Sequence, residues 1–348
     1  MLSGTSHLPR PGRPRSTTRF TRFTGLASGI VFFFLFVITF SQIVSILLSF
    51  SRASWKSDVQ TLLLTWPRTH GSYPTSFTRD VLPRPIHSHN DYWRQVPLFS
   101  AIASGCISVE ADVWEFSGNE LFVGHDSSSL TRNRTFKSLY VEPLVKILKG
   151  QNPETEFTKE MPEGRINGVY DVDPGQTLHL FVDFKTPGLS TLPVVLSHME
   201  PLRSPVNYLT HYNGSDIVTG PVTVHFTGDA PFHEMVTRNA TYRDYFYDAP
   251  LGKLADSDMY NWTNSLIASA PFGKEVGMVL WGRGVSDSQK GKVREQVGAA
   301  HERGIMARYW DTPGWPVSVR DAVWGVLMGE GVDLLNADDL KAAATLRW

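Results

Sequence analysis

The stretch Ile107-Ser-Val-Glu-Ala-Asp-Val113 decides the fold of this chain. Its apolar residues alternate with Glu110 and Asp112, which is the period of a β-strand, so both carboxylates are predicted to leave the same face. Two like charges about 4 Å apart repel by roughly 4 kcal/mol at an effective dielectric constant near 20, so such a pair either holds a proton or binds a cation. This strand is therefore expected to carry a functional site.

Seven further short apolar runs resemble β-strands. They lie around residues 84–88, 178–184, 221–226, 244–248, 277–281, 305–310 and 332–336. Most are separated by helix-like stretches such as 286–303 and 317–329. Eight strands alternating with helices predict an α/β fold, a (β/α)8 barrel of the TIM type, with a doubly wound sheet as the alternative. No glycine-rich nucleotide-binding loop follows any of the runs, which argues against the usual nucleotide enzymes.

The first 57 residues are basic and contain no acidic residue, whereas the net charge of the whole chain is −1. This near-neutral charge gives no support for a nucleic-acid partner. Residues 25–50 carry no charge and, as a helix rising about 1.5 Å per residue, would span about 39 Å, enough to cross a hydrocarbon core of about 30 Å. The sequence predicts a basic cytoplasmic tail over 1–24, a transmembrane signal anchor over 25–50, a stalk over 51–83 and the barrel over 84–348.

The charges around the uncharged span predict its orientation. Five arginines precede the span and only Arg52 and Lys56 follow it before the first acid, which places the N-terminus in the cytoplasm and the barrel on the lumenal or extracellular side. Four glycosylation sequons fit this placement. They begin at Asn133, Asn213, Asn239 and Asn261. The alternative is a mitochondrial location, because an Arg-rich, acid-free N-terminus also suits a presequence. Cys106 is the single cysteine, so no intrachain disulfide can form.

Candidate catalytic groups recur at the carboxyl ends of the predicted strands, where barrel enzymes keep their active sites. They are His87, His89, Glu110, Asp112, His125, Asp183, Lys185 and Trp310. The three carboxylates form a hard oxygen site suited to Mg²⁺, with Ca²⁺ or Mn²⁺ as alternatives. Two histidines beside such a cation suit general acid and base catalysis near neutral pH, and Lys185 adds a positive charge for an anionic substrate. His225 and Asn336, also near strand ends, are not assigned to the site.

The order of the motifs HN, E-x-D, H-D and D-x-K resembles the phosphatidylinositol phospholipase C-like phosphodiesterase superfamily. The motifs are His89-Asn90, Glu110-Ala-Asp112, His125-Asp126 and Asp183-Phe-Lys185. The resemblance covers about residues 84–340. The fuller motifs HSHNDY, SVEADVW, VGHD and VDFKT are still more similar to the fungal "altered inheritance of mitochondria protein six" family.

The resemblance implies a barrel enzyme that cleaves phosphoric diesters with a bound divalent cation. It implies catalytic roles for His89 and His125, metal coordination by Glu110, Asp112 and Asp183, and substrate contacts by Asn90, Lys185 and Trp310. Two positions depart from the glycerophosphodiesterase pattern. Asn90 replaces the usual arginine, which removes one phosphate-binding cation, and Asp183 stands where those enzymes often have glutamate.

The predicted function is therefore a membrane-anchored, metal-dependent phosphoric diester hydrolase, with phospholipid-derived diesters among the candidate substrates. Two alternatives stay open at this point. In the first, His87 and His89 are the zinc pair of an amidohydrolase-like barrel. In the second, the barrel is a non-catalytic, membrane-tethered lipid-binding protein. Metal-dependent turnover separates the three.

Overall fold

The structure, a computed structural model, describes residues 33–44, 78–116, 119–156, 158, 166–280, 282 and 284–348. The chain divides into two compact units, Met1–Asp58 and Val59–Trp348. In the first unit the described residues form a helix, α1, over 33–44. All other described elements belong to the second unit.

The predicted membrane anchor is contradicted. Within the described ranges, no helix combines the length and the apolar character that crossing a bilayer requires. This finding corrects the predicted single-pass location of the protein. The described helix α1, residues 33–44, lies within the predicted span 25–50. The predicted tail, the rest of the span and residues 51–77 of the stalk lie outside the described residues.

Eight parallel strands form the closed barrel that the sequence predicts. In chain order the strands are β1 (Arg84–Ser88), β2 (Cys106–Phe116), β3 (Glu120–Val123), β4 (Leu178–Phe184), β5 (His211–Tyr212), β6 (Ile217–Val218), β7 (Val222–Gly228), β8 (Phe246–Pro250), β9 (Ile267–Pro271), β10 (Met306–Trp310) and β11 (Leu334–Ala337). Neighbours follow the order β1-β11-β10-β9-β8-β7-β4-β2, and pairing of β1 with β2 closes the barrel. The short β3 pairs antiparallel with the end of β2, and β5 with β6 forms a separate hairpin.

Helices connect the strands. They are α2 (Phe99–Ala103), α3 (Glu142–Gln151), α4 (Gly188–His198), α5 (Phe232–Thr237), α6 (Phe272–Glu275), α7 (Asp287–His301), α8 (Val317–Gly329) and α9 (Leu340–Ala344). The longest, α7, begins at a capping box in which the Ser286 side chain accepts from the Gln289 backbone N–H. It buries Val293, Val297 and Ala300, which recur at helical spacing on one face.

One predicted strand is misplaced. Residues 277–280 of the predicted run 277–281 form no strand, and the side chains of Met278 and Leu280 are 83% and 55% exposed. The barrel strand lies earlier, at Ile267–Pro271, and pairs with β8 and β10. The small residues of this strand fit a crowded barrel wall. A prediction from hydrophobicity alone selects the bulkier residues of the run 277–281 instead.

The register of β2 and β4 brings the acidic residues together. Asp112 pairs with Asp183, and Glu110, two positions earlier on the same face of β2, pairs with Phe181. Because parallel strands point the same way, their carboxyl ends meet at one mouth of the barrel. The fold therefore delivers to one place carboxylates that are more than seventy residues apart in sequence.

The loop after β1 is held by a buried aspartate. Asp91 accepts hydrogen bonds from Ser88 Oγ at 2.7 Å, from the Leu98 backbone N–H at 2.6 Å and from Tyr140 Oη at 3.1 Å. Burial raises the pKa of Asp91 despite these bonds. The aspartate of the HSHNDY motif thus fixes the loop that carries His89 and Tyr92.

Candidate active site

Three carboxylates converge at the mouth of the barrel. Glu110 and Asp112 on β2 and Asp183 on β4 each offer an oxygen, and these oxygens lie within 4.8 Å of one another. Glu110 and Asp112 are buried, and the Asp183 side chain is 17% exposed. The structure thus brings together all three predicted metal ligands.

The charges of this cluster are poorly compensated by protein groups. Burial, together with the charges of Glu110 and Asp183, raises the pKa of Asp112 to about 7. The pKa of Asp183 is also raised, first by burial. Asp112 Oδ1 and Asp183 Oδ1 are buried and have no hydrogen-bond partner among the described residues. Unsatisfied carboxylate oxygens of this kind are costly unless a cation or water joins them.

Lys185 bridges the other oxygens of the two aspartates. Its Nζ lies 2.8 Å from Asp183 Oδ2 and 3.0 Å from Asp112 Oδ2. Burial opposes the charged amine, but the two carboxylates raise the pKa of Lys185, so it stays protonated. The lysine therefore occupies one side of each carboxylate and leaves both Oδ1 atoms on the other side.

Glu110 stays ionised in this cluster. Its Oε2 accepts a 2.9 Å hydrogen bond from the backbone N–H of Asn90. Burial would raise the pKa of Glu110, but the positive charges of His89 and Arg308 lower it overall.

The two predicted catalytic histidines lie near the carboxylates, His125 through its contact with Tyr92. His89 Nδ1 is 2.9 Å from Asp338 Oδ1, and its Nε2 is 3.9 Å from Glu110 Oε2. Burial opposes protonation of His89, but Asp338 and Glu110 raise its pKa above the ordinary value. His125 is exposed, and its Nδ1 lies 3.2 Å from Tyr92 Oη.

Tyr92 links His125 to the carboxylates, a role that the sequence did not predict. Its Oη lies 2.8 Å from Asp112 Oδ2 and 2.5 Å from Asn90 Oδ1. Asn90 itself is 6% exposed, and its Nδ2 is 3.3 Å from His89 Nδ1. The predicted substrate contact of Asn90 stays a prediction, because the structure shows its amide bound to neighbouring side chains.

The remaining predicted residues separate into two groups. Trp310 lies at the carboxyl end of β10, at the same mouth as the carboxylates, with its side chain 40% exposed. His87 is completely buried, and its Nδ1 lies 2.7 Å from Ser108 Oγ. Burial, aided by Arg308, lowers the pKa of His87 to about 3, so this imidazole is neutral.

The histidine pair of the zinc alternative has no geometric support. His87 Nε2 is 3.8 Å from Glu110 Oε2 and makes no hydrogen bond with any described residue, while His89 Nδ1 contacts Asp338. Across the described ranges, the cluster of metal-type ligands consists of the three carboxylates and includes neither histidine. His225, the further histidine that a zinc site would need, instead lies 2.9 Å from His179 within the barrel.

A buried arginine fills the barrel below the site. Arg308 donates to Ser269 Oγ at 2.9 Å and to Asn336 Oδ1 at 3.0 Å, and its guanidinium lies 4.5 Å from the centre of the Phe181 ring. Asp248 Oδ2 is 3.5 Å away. The sequence contained a signal for Arg308, because it precedes Trp310 by two residues and so shares its face of β10.

The absence of a side chain at Gly228 makes room for the carboxylate of Asp183. Gly228 has φ +68°, and a Cβ added there would lie 2.0 Å from Asp183 Oδ1. We expect Gly228→Ala to displace this carboxylate, to abolish divalent-cation binding measured by calorimetry, and to destabilise the protein by about 1–3 kcal/mol because of backbone strain. Gly325→Ala in α8 is the matched control, since its added Cβ meets nothing within 4 Å. Wild-type cation affinity in Gly228→Ala would contradict the placement of Asp183.

Comparison with known proteins places the chain in a family. Residues 75–248, from just before β1 to within β8, match the AIM6-like phosphodiesterase domain. A protein named Altered inheritance of mitochondria protein 6 homolog, from Arthroderma benhamiae, is 42% identical over 303 residues, covering 84% of this chain and 93% of that protein.

Two further proteins, both named Altered inheritance of mitochondria protein 6, are also similar. The protein of Eremothecium gossypii is 38% identical over 282 residues, covering 77% of this chain and 70% of its own length. That of Saccharomyces cerevisiae is 32% identical over 286 residues, covering 77% of this chain and 72% of its own length. The matched domain contains both histidines and all three carboxylates of the site. The chain belongs to the AIM6-like phosphodiesterase family.

Proposed function

We propose that the protein is a divalent-cation-dependent hydrolase of phosphoric diesters. One observation carries the proposal: three carboxylates converge at the barrel mouth beside His89, and two of their oxygens are buried without a hydrogen-bond partner among the described residues. The family's description as a phosphodiesterase domain supports the same reaction class.

The donor set fits a hard divalent cation. Carboxylate oxygens are the ligands that Mg²⁺, Mn²⁺ and Ca²⁺ prefer, and no thiolate or imidazole belongs to the cluster within the described part of the chain. Glu110, Asp112 and Asp183 would hold the cation, of which Mg²⁺ is our first choice. A divalent cation and the Lys185 ammonium would together neutralise the three carboxylates. When bound, the cation would supply electrostatic stabilisation of the charge that develops on the phosphate.

The protein's own groups then supply binding and proton transfer. The Lys185 side chain is 28% exposed, so its ammonium is accessible from the mouth and can attract an anionic phosphate. One of the two histidines takes the proton of the attacking oxygen as its bond to phosphorus forms. The other gives a proton to the leaving oxygen as its bond to phosphorus breaks. Attack by water yields a phosphomonoester and an alcohol, and attack by a neighbouring substrate hydroxyl yields a cyclic phosphate.

Aromatic side chains at the mouth favour a substrate with an apolar part. Trp310 and Trp93 are 40% and 60% exposed, and the Trp93 ring lies 4.9 Å from that of His125. Flat, exposed indoles near the reacting groups suit contact with the organic arms of a diester. We therefore include phospholipid-derived diesters among the substrates to be tested.

Phosphorus NMR tests the proposal directly. The full chain is incubated with Mg²⁺ and, in turn, with glycerophosphodiesters, lysophospholipids, sphingomyelin and a synthetic aryl diester. We expect at least one diester signal to be replaced by that of a monoester or a cyclic phosphate, and the conversion to stop with excess chelator. If no diester is converted with Mg²⁺, Mn²⁺ or Ca²⁺, the proposal is overturned and the non-catalytic lipid-binding alternative is favoured.

A further inference from the structure

The hydroxyl of Tyr92 has three polar neighbours and only one proton. Its Oη lies 2.5 Å from Asn90 Oδ1, 2.8 Å from Asp112 Oδ2 and 3.2 Å from His125 Nδ1. Tyr92 is 1% exposed, so water does not compete for these contacts. The direction of each hydrogen bond therefore follows from counting donors and acceptors.

Two of the three neighbours can only accept. With Asp112 ionised, its carboxylate oxygen and the amide carbonyl oxygen of Asn90 carry no proton, so the single Tyr92 proton is directed to one of them. A charged carboxylate is the stronger acceptor. No proton of Tyr92 remains for His125, and the contact of 3.2 Å can only be a bond that His125 Nδ1 donates to the tyrosine oxygen.

The orientation of the Asn90 amide does not change this result. If the amide is rotated so that Nδ2 faces Tyr92, the tyrosine proton goes to Asp112 and the amide donates to one lone pair of the tyrosine oxygen. The second lone pair still accepts from His125 Nδ1. In both orientations the proton of neutral His125 is on Nδ1.

We infer that Tyr92 is a positioning residue that fixes neutral His125 in the Nδ1–H form and leaves Nε2 as its proton acceptor. The Trp93 ring, 4.9 Å from the imidazole, restricts its rotation from the side. The catalytic meaning of the inference rests on the proposed function. His125 Nε2 takes the proton of the attacking water or hydroxyl while that oxygen bonds to phosphorus. His89 is left to protonate the oxygen whose bond to phosphorus breaks.

The tautomer of His125 is measurable without any substrate. The full chain is labelled with ¹⁵N-histidine and studied in Mg²⁺-containing buffer at about pH 8.5, where an ordinary imidazole is neutral. The His125 signals are identified by their loss in His125→Gln, a change at an exposed position. We expect a proton-bearing Nδ1 and an unprotonated Nε2. In Tyr92→Phe we expect the signals to move towards the Nε2–H form that free histidine prefers.

Kinetics separate positioning from a purely structural role. We expect Tyr92→Phe to lower kcat by about 10–100-fold with KM little changed, because substrate binding does not involve the hydroxyl whereas the base is in the wrong tautomer. Tyr170→Phe is the matched control, since it also removes a buried hydroxyl, bonded to the Cys106 carbonyl at 2.6 Å, far along β2 from the site. It should lose thermal stability but keep kcat and the His125 signals.

Two results would overturn the inference. One is an Nε2–H tautomer of His125 in the wild-type protein. This measurement does not depend on whether any variant folds. The other is an unchanged tautomer together with an unchanged kcat in a folded Tyr92→Phe protein. Failure of the proposed function is a different result, namely that the wild-type protein converts no diester while the tautomer is as expected.

Discussion

Glu110→Gln is expected to abolish divalent-cation binding and to lower the rate of diester hydrolysis by about 10³-fold or more, since a bound cation contributes several kcal/mol of charge stabilisation. The amide keeps an oxygen that can accept from the Asn90 backbone N–H, so the loop geometry survives. Removing one of three converging negative charges should leave the metal-free protein at least as stable as the wild type. Calorimetry with Mg²⁺ and thermal unfolding with and without Mg²⁺ measure both effects.

Glu115→Gln provides the control for this prediction. It makes the same chemical change on the same strand, but Glu115 is an odd number of residues from Glu110 and so leaves the opposite face of β2. Cation binding and hydrolysis should be unchanged in this variant. Equal losses of cation binding and hydrolysis in both variants, or normal Mg²⁺ binding in Glu110→Gln, would show that the carboxylate cluster does not bind the catalytic cation.

His89→Ala and His125→Ala are each expected to lower kcat/KM by about 10²–10⁴-fold, which is the usual contribution of a general acid or base. The double variant should lose much less than the product of the two single effects, because the histidines act in one proton-transfer sequence. Both single variants should still bind Mg²⁺, since neither imidazole belongs to the carboxylate cluster.

His301→Ala tests whether any exposed histidine has such an effect. His301 ends α7 and bonds Asp333 at 2.8 Å, away from the barrel mouth. Its removal should cost some thermal stability and leave kcat/KM unchanged. Near-normal turnover in both His89→Ala and His125→Ala would instead show that proton transfer does not depend on these side chains.

The barrel was predictable because its strands leave local signals. The run Leu178–Phe184 is short and mostly apolar, contains Asp183 and is followed directly by Lys185, so both the strand and its functional end are visible in the sequence. The strand Ile267–Pro271 leaves no such signal, because alanine, serine and proline are common in loops. Only its two neighbours in the closed barrel show that a strand must lie there.

The carboxylates of the site were predictable for the same reason, whereas the groups that orient the histidines were not. Asp112 and Asp183 end adjacent strands, so their proximity follows from parallel pairing. Asp338 lies 249 residues from His89 in sequence, and their contact depends on the conformations of two loops. Tyr92 is likewise positioned by a loop. Its place in the HSHNDY motif did point to the site, but only through the chemistry of the residues around it and not through any strand or helix periodicity.

The membrane prediction failed where only one property was counted. The uncharged stretch over 25–50 satisfies a length criterion, but within the described residues no helix is long and apolar enough to cross a membrane.

Asn90 has a backbone conformation that restricts which residues can replace it. It adopts φ 48° and ψ 45°, a left-handed conformation that asparagine tolerates and that costs most other residues about 1–2 kcal/mol. Its side chain is also enclosed between Tyr92 and His89. Replacing it with the arginine found in related phosphodiesterases would therefore bring strain and displace both partners at once. Substitution of Asn90 would therefore require coordinated changes at its neighbours rather than a single mutation.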